Sequence, residues 1–179
     1  IELMRAVAAL PGIAQVRLAS GVRYDLGLLE PEALQVYIRE FTGGQMKIAP
    51  EHVSEAVLRL MRKPGPRVLE RFLDLFRNSS LKEQYVIPYL MSAYPGCTDT
   101  HMREMAAWLK KRGWRPQQVQ CFIPTPGTVA TAMFYCSQDP EGRPVYVART
   151  DADRLRQHAI LTGAAGRGDR LGRGARGRR

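Results

Sequence analysis

The sequence predicts an α/β protein built on parallel strands. Two observations support this fold class. Short apolar, strand-like runs alternate with amphipathic helical repeats in about four strand–loop–helix units. The run at residues 84–92 is nearly continuously apolar, as is typical of a parallel strand buried on both faces. This alternation favours right-handed crossovers, so either a doubly wound sheet or part of a (β/α) barrel satisfies it, and four units are too few to close a barrel.

The first two units occupy roughly the first half of the chain. Residues 3–7 resemble the end of a helix, and residues 15–20 alternate like a strand, with residues 22–26 in the loop that follows. The predicted helix after this loop carries apolar residues at positions 34, 37, 38 and 41. Residues 46–49 form the second predicted strand, which Pro50 ends because proline cannot donate to the ladder.

The remaining elements follow the same logic. Ser54 is the predicted N-cap of a helix that Pro64 and Gly65 end, and residues 68–76 give the next amphipathic helix. After the strand at 84–92, a helix capped by Thr98 or Thr100 leads to a fourth strand at 119–123. The predictions for the rest are a short helix at 129–135, a small edge strand at 145–147 and a final helix at 151–161.

The composition restricts the function classes. The chain has 179 residues and a formal net charge of +10, half of which lies in the Gly/Arg-rich residues 163–179. That tail lacks a periodic apolar face and is predicted to be disordered, with possible weak nucleic-acid contact through phosphates as its one functional interpretation. No apolar run reaches the roughly 18 residues of a membrane helix. The three cysteines form no CxxC pair, which argues against a disulfide framework and favours the reducing cytoplasm.

Polar residues follow the predicted strands where an α/β barrel places its chemistry. The candidates after the first two strands are Ser20 and Arg23, then Glu51 and His52. Ser92 ends the third strand and Pro124 follows the fourth. Each also has a structural interpretation: Ser20 as a turn hydroxyl, Arg23 as a surface ion pair with Asp25, and Glu51 and His52 as residues that cap or pair locally.

Several motifs together resemble the YgiQ family of radical SAM proteins, and more distantly the radical SAM methylthiotransferases. The resemblance covers about residues 1–160 in register. It rests on residues 18–25 (LASGVRYD), 47–52 (KIAPEH), 57–61 with Lys63-Pro64-Gly65, 87–96 (IPYLMSAYPG), 118–126 (QVQCFIPTP) and 130–135 (ATAMFY).

The resemblance implies a partial (β/α)6 barrel, S-adenosylmethionine and a [4Fe–4S] cluster held by a CxxxCxxC loop. That loop is absent here, so no cysteine is assigned as a cluster ligand and no metal site is predicted. The implied organisation is the second half of the barrel in residues 1–137, a C-terminal extension in 138–162 and the tail in 163–179. The six strand-end residues Ser20, Arg23, Glu51, His52, Ser92 and Pro124 then become candidates for binding S-adenosylmethionine.

The resulting hypothesis is a fragment of a radical SAM enzyme that is inactive alone, with an unknown substrate. Two alternatives stay open: a barrel lyase or hydrolase that uses Glu51 and His52 as acid and base or as metal ligands, and a nucleic-acid-binding module that acts through the tail. Cys97 is expected to be a structural thiol, because nothing around it in sequence argues for thiolate activation.

Overall fold

A computed structural model describes residues 1–163 of the chain, and residues 164–179 of the predicted disordered tail lie outside the described residues. Within that range, helices alternate with the strands of one parallel sheet. In chain order the elements are α1 (Glu2–Ala8), α2 (Tyr24–Gly27), α3 (Pro31–Val36) with a π-helical turn at Tyr37–Phe41, β1 (Gln45–Glu51), α4 (Glu55–Leu60), α5 (Pro66–Ser79), β2 (Tyr85–Ser92), α6 (Asp99–Lys111), β3 (Gln118–Cys121), α7 (Val129–Cys136) and α8 (Asp151–Thr162).

The sheet has the order β1-β2-β3, and both pairs are parallel. Lys47 of β1 lies opposite Ile87 of β2, and Tyr89 of β2 lies opposite Gln118 of β3. Parallel neighbours need a crossover between them, which α4 and α5 supply between β1 and β2 and α6 supplies between β2 and β3. The predicted α/β class with helices between parallel strands is confirmed.

The prediction of a strand at residues 15–20 is wrong. Val22 alone forms a parallel bridge to Ile48, and its N–H donates to the Lys47 carbonyl at 2.8 Å. The N–H of Leu18 donates instead to the carbonyl of Phe41 at 2.8 Å, so the segment follows the helical turn rather than β1. Residues 24–26 of the predicted loop at 22–26 belong to α2. Alternation in the sequence cannot show whether a neighbouring strand is present to pair with. The structure therefore has three strand–helix units, where four were expected.

Pro50 does not end β1, contrary to the prediction, because the ladder is irregular there. The register shifts between Ile48 and Glu51, and β1 continues through Pro50 to Glu51. Pro88 is accommodated differently. The N–H of Tyr85 faces β1, where it donates to the Gly44 carbonyl, so the even-numbered residues of β2 face β3. Pro88 therefore faces the side of β3, but β3 begins only opposite Tyr89. The absent N–H of Pro88 thus costs no hydrogen bond of the ladder.

The helix faces predicted from periodicity form the core. Leu69, Phe72, Leu73 and Phe76 of α5 and Met102, Met105 and Leu109 of α6 are buried with Ile48 and Leu90 of the sheet. The predicted helices at 129–135 and 151–161 are confirmed as α7 and α8. The predicted edge strand at 145–147 is wrong, because only Gln138 and Pro144 form an isolated bridge there. Across residues 1–163, no helix is both long enough and apolar enough to cross a membrane.

Candidate functional site

The carboxyl ends of the parallel strands meet at one edge of the sheet, here called the carboxyl edge. Glu51 ends β1, Ser92 ends β2 and Cys121 ends β3. The bridge between Val22 and Ile48 brings the segment that contains Arg23 alongside β1. Ligands of open α/β sheets bind outside these strand ends, so the carboxyl edge is the first place to look for a site.

Glu51 is held in an unusual conformation beside a lysine. Its φ of 65° lies in the left-handed region, which is uncommon for glutamate and costs of order 1 kcal/mol or more. Lys63 Nζ lies 3.3 Å from Glu51 Oε1 and donates to the Ala49 carbonyl at 2.6 Å. The Glu51 side chain remains 21% exposed, so its carboxylate is oriented by Lys63 and still accessible to a ligand.

A cavity of about 180 Å³ lies beside this pair. It is lined by both charged and apolar groups, namely Arg23, Tyr24, Asp25, Ala49, Met61, Arg62, Lys63 and Pro64. Burial raises the pKa of Tyr24 to about 12, with a smaller contribution from Asp25, so its phenol stays protonated. Arg23 donates to both carboxylate oxygens of Asp25, at 2.9 and 2.6 Å, and this pairing lowers the pKa of Asp25. The cavity therefore contains a phenol, fixed cations and a carboxylate.

His52, directly after Glu51, faces inward. Its Nδ1 accepts from the N–H groups of Val53 and Ser54 at 3.0 and 2.9 Å, so the ring proton belongs on Nε2. Nε2 lies 3.6 Å from Cys97 Sγ. Burial lowers the pKa of His52 to about 3, with a smaller effect of His101, and burial raises the pKa of Cys97 to about 12. The two side chains form a neutral buried pair, and His52 is only 1% exposed.

The remaining predicted site residues have different surroundings. Ser92 is buried, and its Oγ donates to the Gln120 carbonyl at 3.4 Å. Ser20 is exposed, and Pro124 is half-buried beyond the end of β3. The structure thus places Arg23 in the cavity wall, while Glu51 does not line the cavity and instead contacts the wall residue Lys63; Ser92 and His52 lie inside the protein. Binding of S-adenosylmethionine by any of the six residues stays a prediction.

Sequence reasoning missed Lys63 as a site residue. In the sequence, Lys63-Pro64-Gly65 indicates the end of a helix and forms part of a motif that resembles the YgiQ family, but neither interpretation assigns Lys63 to a site. The turn after α4 carries Lys63 back to the end of β1, twelve residues away along the chain. A lysine directly before a helix-breaking Pro-Gly was the available signal, but sequence alone does not show where such a turn points.

A larger cavity of about 860 Å³ lies at the opposite, amino edge of the sheet. It is a groove between the ends of α5 and α6 over the start of β2. Its walls include Phe76, Arg77, Ile87, Arg115 and Trp114. The strand starts contribute backbone and apolar side chains there, and α/β proteins place ligands at the other end. The smaller cavity at the carboxyl edge is therefore the candidate site.

A cluster of metal ligands is not found among residues 1–163, where no three His, Cys, Asp or Glu side chains are grouped suitably. Cys97 is buried, Cys121 is half-buried and Cys136 is exposed, and none of them is in a disulfide. The residues present do not fit an iron–sulfur cluster, so no step through such a cluster is derived for this chain.

Most of this chain is similar in sequence to proteins of one family. A UPF0313 protein of Geobacter sulfurreducens is 46% identical over 163 residues, which are 89% of this chain and 27% of the relative. UPF0313 proteins of Methanosarcina acetivorans and Pseudomonas aeruginosa are 44% and 41% identical over 90% of this chain, and over 22% and 23% of their own lengths. The chain belongs to the UPF0313 family. This is the YgiQ family that the motifs indicate.

The UPF0313 relatives are much longer than this chain, which spans about a quarter of their length. A family model described as a domain of unknown function, DUF3362, matches residues 117–167. The match begins next to β3, and β3 is hydrogen-bonded to β2 in the same sheet as the candidate site. The segment matched by this family model therefore includes β3, whose end is part of the carboxyl edge.

Proposed function

We propose that this UPF0313 chain supplies part of the S-adenosylmethionine site of a radical SAM enzyme with an unknown substrate. The observation that carries the proposal is the accessible Glu51 carboxylate at the end of a parallel strand, which is oriented by Lys63, a residue in the wall of a charged cavity. The resemblance of the strand-end motifs to radical SAM proteins supports it. In this proposal the three-stranded sheet is part of a partial (β/α)6 barrel.

The residues at the carboxyl edge fit the chemistry of S-adenosylmethionine. This molecule carries ribose hydroxyls and an ammonium group, which a carboxylate such as Glu51 can accept from. It also carries a carboxylate, which Arg23, Arg62 or Lys63 can pair with. In the longer protein, S-adenosylmethionine would supply the chemistry of hydrogen abstraction from the substrate. The chain's own contribution is to bind the molecule, fix its orientation and limit its contact with water.

The acid–base alternative is disfavoured because His52 is not available as a general base. A general base must reach the proton that it removes, and the neutral His52 ring is buried with both nitrogens facing protein groups. Glu51 alone does not make an acid–base pair. The nucleic-acid alternative depends on the tail, most of which lies outside the described residues. Location in the reducing cytoplasm remains part of the proposal, and the free state of all three cysteines is consistent with it.

Ligand binding by the 179-residue chain tests the site. We expect S-adenosylhomocysteine, a stable analogue of the cofactor, to bind in a calorimetric titration. Glu51→Gln should weaken binding at least tenfold, because a hydrogen bond to a charged group contributes roughly 1.5–3 kcal/mol. Arg115→Ala at the amino edge is the matched control and should bind like the original chain. Equal affinities for all three proteins would contradict the proposed site.

Catalysis needs the longer protein. The complete Geobacter sulfurreducens relative, reconstituted with iron, sulfide and a reductant, should convert S-adenosylmethionine to 5′-deoxyadenosine and methionine. Chromatography of the products measures this reaction. A reconstituted relative that binds iron and sulfide and still leaves S-adenosylmethionine intact would refute the radical SAM assignment.

A further inference from the structure

A buried polar chain connects α8 to the end of β1. Gln157 of α8 is fully buried, its Oε1 accepts from the N–H of Ala93 at 2.9 Å, and its Nε2 donates to the carbonyl of Cys97 at 2.8 Å. Both side-chain groups are thus used to bridge the loop that follows β2. The Sγ of Cys97 then meets the ring of His52, which follows Glu51.

The loop that Gln157 bridges needs such support. Ala93 has a φ of 59°, and Gly96 has a φ of 87°, so two backbone positions within four residues lie in the left-handed region. The N–H of Ala93 would be a buried, unpaired donor without Gln157, at a cost of roughly 1–3 kcal/mol. A side chain from a separate helix therefore stabilises a strained turn, and strained turns are concentrated at functional sites.

The same loop supports the wall of the cavity. Tyr94 Oη donates to the carbonyl of Leu60 at 3.3 Å, and a Cβ at Gly96 would overlap the Leu60 side chain. Leu60 is the last residue of α4, and the next residues, Met61 to Pro64, line the cavity. Displacement of residues 93–97 would therefore reach the cavity wall through Leu60. Through His52 it would reach the neighbouring Glu51, which contacts the wall residue Lys63.

Other contacts fasten α8 and the segment before it to the same edge. Arg154 donates to the Phe122 carbonyl at 2.9 Å, Arg156 donates to Asp99 at 2.8 Å, and the Tyr146 carbonyl accepts from Gly96 N–H at 2.7 Å. Surface ion pairs contribute little to stability, whereas the Gln157 contacts are fully desolvated. Gln157 is thus the central residue of this attachment.

We propose that Gln157 is a positioning residue of the carboxyl-edge site, which holds residues 93–97 against Leu60 and His52. The segment matched by the domain of unknown function then has a stated role in this chain: its helix α8 sets the shape of the site formed by the preceding strands. The effect on ligand binding rests on the proposed function, and the effect on the loop does not.

Hydrogen exchange of the 179-residue chain tests the loop without any ligand. Gln157→Leu removes both hydrogen bonds at similar size and should lower the protection of the Ala93 N–H at least tenfold. Gln157→Glu keeps an acceptor for this N–H and should restore most of that protection. Gln117→Leu, at an exposed glutamine before β3, is the control. Amides of Ile48 and Leu90 report whether each variant remains folded. If Gln157→Leu does not fold, Gln157→Glu is compared with the original chain instead. This variant loses the donor to the Cys97 carbonyl, so we expect faster exchange at residues 97–101.

Titration with S-adenosylhomocysteine tests the site itself. Gln157→Leu should weaken binding at least fivefold relative to Gln117→Leu. Unchanged exchange at residues 93–97 in Gln157→Leu, or at residues 97–101 in Gln157→Glu where the leucine variant does not fold, would overturn the positioning role. Faster exchange with unchanged affinity would overturn the link from the loop to the site. If the original chain does not bind the analogue, the proposed function fails for this chain, and the exchange data still decide whether Gln157 holds the loop.

Discussion

The amino and carboxyl edges of the sheet differ in cavity size and in backbone strain. The larger cavity lies at one edge, and the strained backbone lies at the other. The amino edge has the larger cavity, about 860 Å³ against about 180 Å³. Among the described residues that line the larger cavity only Gly113 has a positive φ, which glycine adopts without strain. At the carboxyl edge three residues that are not glycine, Glu51, Arg62 and Ala93, have positive φ. Strain of this kind persists only where surrounding contacts impose it, which makes the smaller cavity the better functional candidate.

The carboxyl edge also contains buried ionisable groups that must stay neutral. The pKa of His52 falls to about 3 from an ordinary value of 6.5, mainly because of burial. The folded protein then binds fewer protons than the unfolded chain between these values. The stabilisation from the neutral ring is complete above about pH 6.5 and is lost as the pH falls toward 3.

The largest expected effect is therefore the acid sensitivity of the carboxyl edge. Between pH 6.5 and pH 3 we expect His52 to lower the free energy of unfolding by up to about 4–5 kcal/mol, at about 1.4 kcal/mol per pKa unit. Urea unfolding at several pH values measures this change. In His52→Asn, which keeps an acceptor for the nearby N–H groups, the pH dependence should be weaker by that amount. An unchanged pH dependence in the variant would show that His52 is not buried in its neutral form.

The sequence predicted the elements that depend on local periodicity, and it failed where distant residues decide. The apolar spacing of Leu69, Phe72 and Phe76 is sufficient to predict α5 and its buried face. The alternation at residues 15–20 suggested a strand, but a strand needs a partner ladder, and only Val22 has one. The position of Glu51 at the edge was predictable from the end of an apolar run.

The interior of the site was less predictable for the same reason. His52 is buried because Cys97, 45 residues later, packs against its ring. Gln157 is 64 residues from the Ala93 N–H that it accepts from. A polar residue in an amphipathic helix is normally read as exposed, and only the packing of α8 against the sheet and α6 shows that this one faces inward.

A pair of glycine substitutions compares the backbone strain of the two edges, with an intermediate effect expected on the free energy of unfolding. Gly96→Ala introduces a Cβ at a φ of 87° that overlaps the flexible end of Leu60, and we expect a loss of about 1–2 kcal/mol in the free energy of unfolding. Gly43→Ala meets no atom within 4 Å and has no positive φ, so it should leave stability unchanged or slightly raise it. Urea unfolding at pH 7 measures both. Equal losses in the two variants would mean that the carboxyl edge is no more strained than the amino edge.

Two arginine substitutions, one at each edge, should have the smallest effect on stability and therefore separate ligand binding from folding most directly. Arg23 pairs with Asp25 at the carboxyl edge and is 65% exposed, while Arg77 pairs with Asp74 at the amino edge and is 75% exposed. Exposed ion pairs contribute little to folding, so Arg77→Ala should leave the urea midpoint unchanged within error. Arg23→Ala should lower the free energy of unfolding by no more than about 1 kcal/mol, because its partner Asp25 is only 17% exposed. Only Arg23→Ala removes a cation from the candidate site, so only this variant should weaken the binding of S-adenosylhomocysteine. A stronger loss of binding in Arg77→Ala would instead move the ligand site to the large groove at the amino edge.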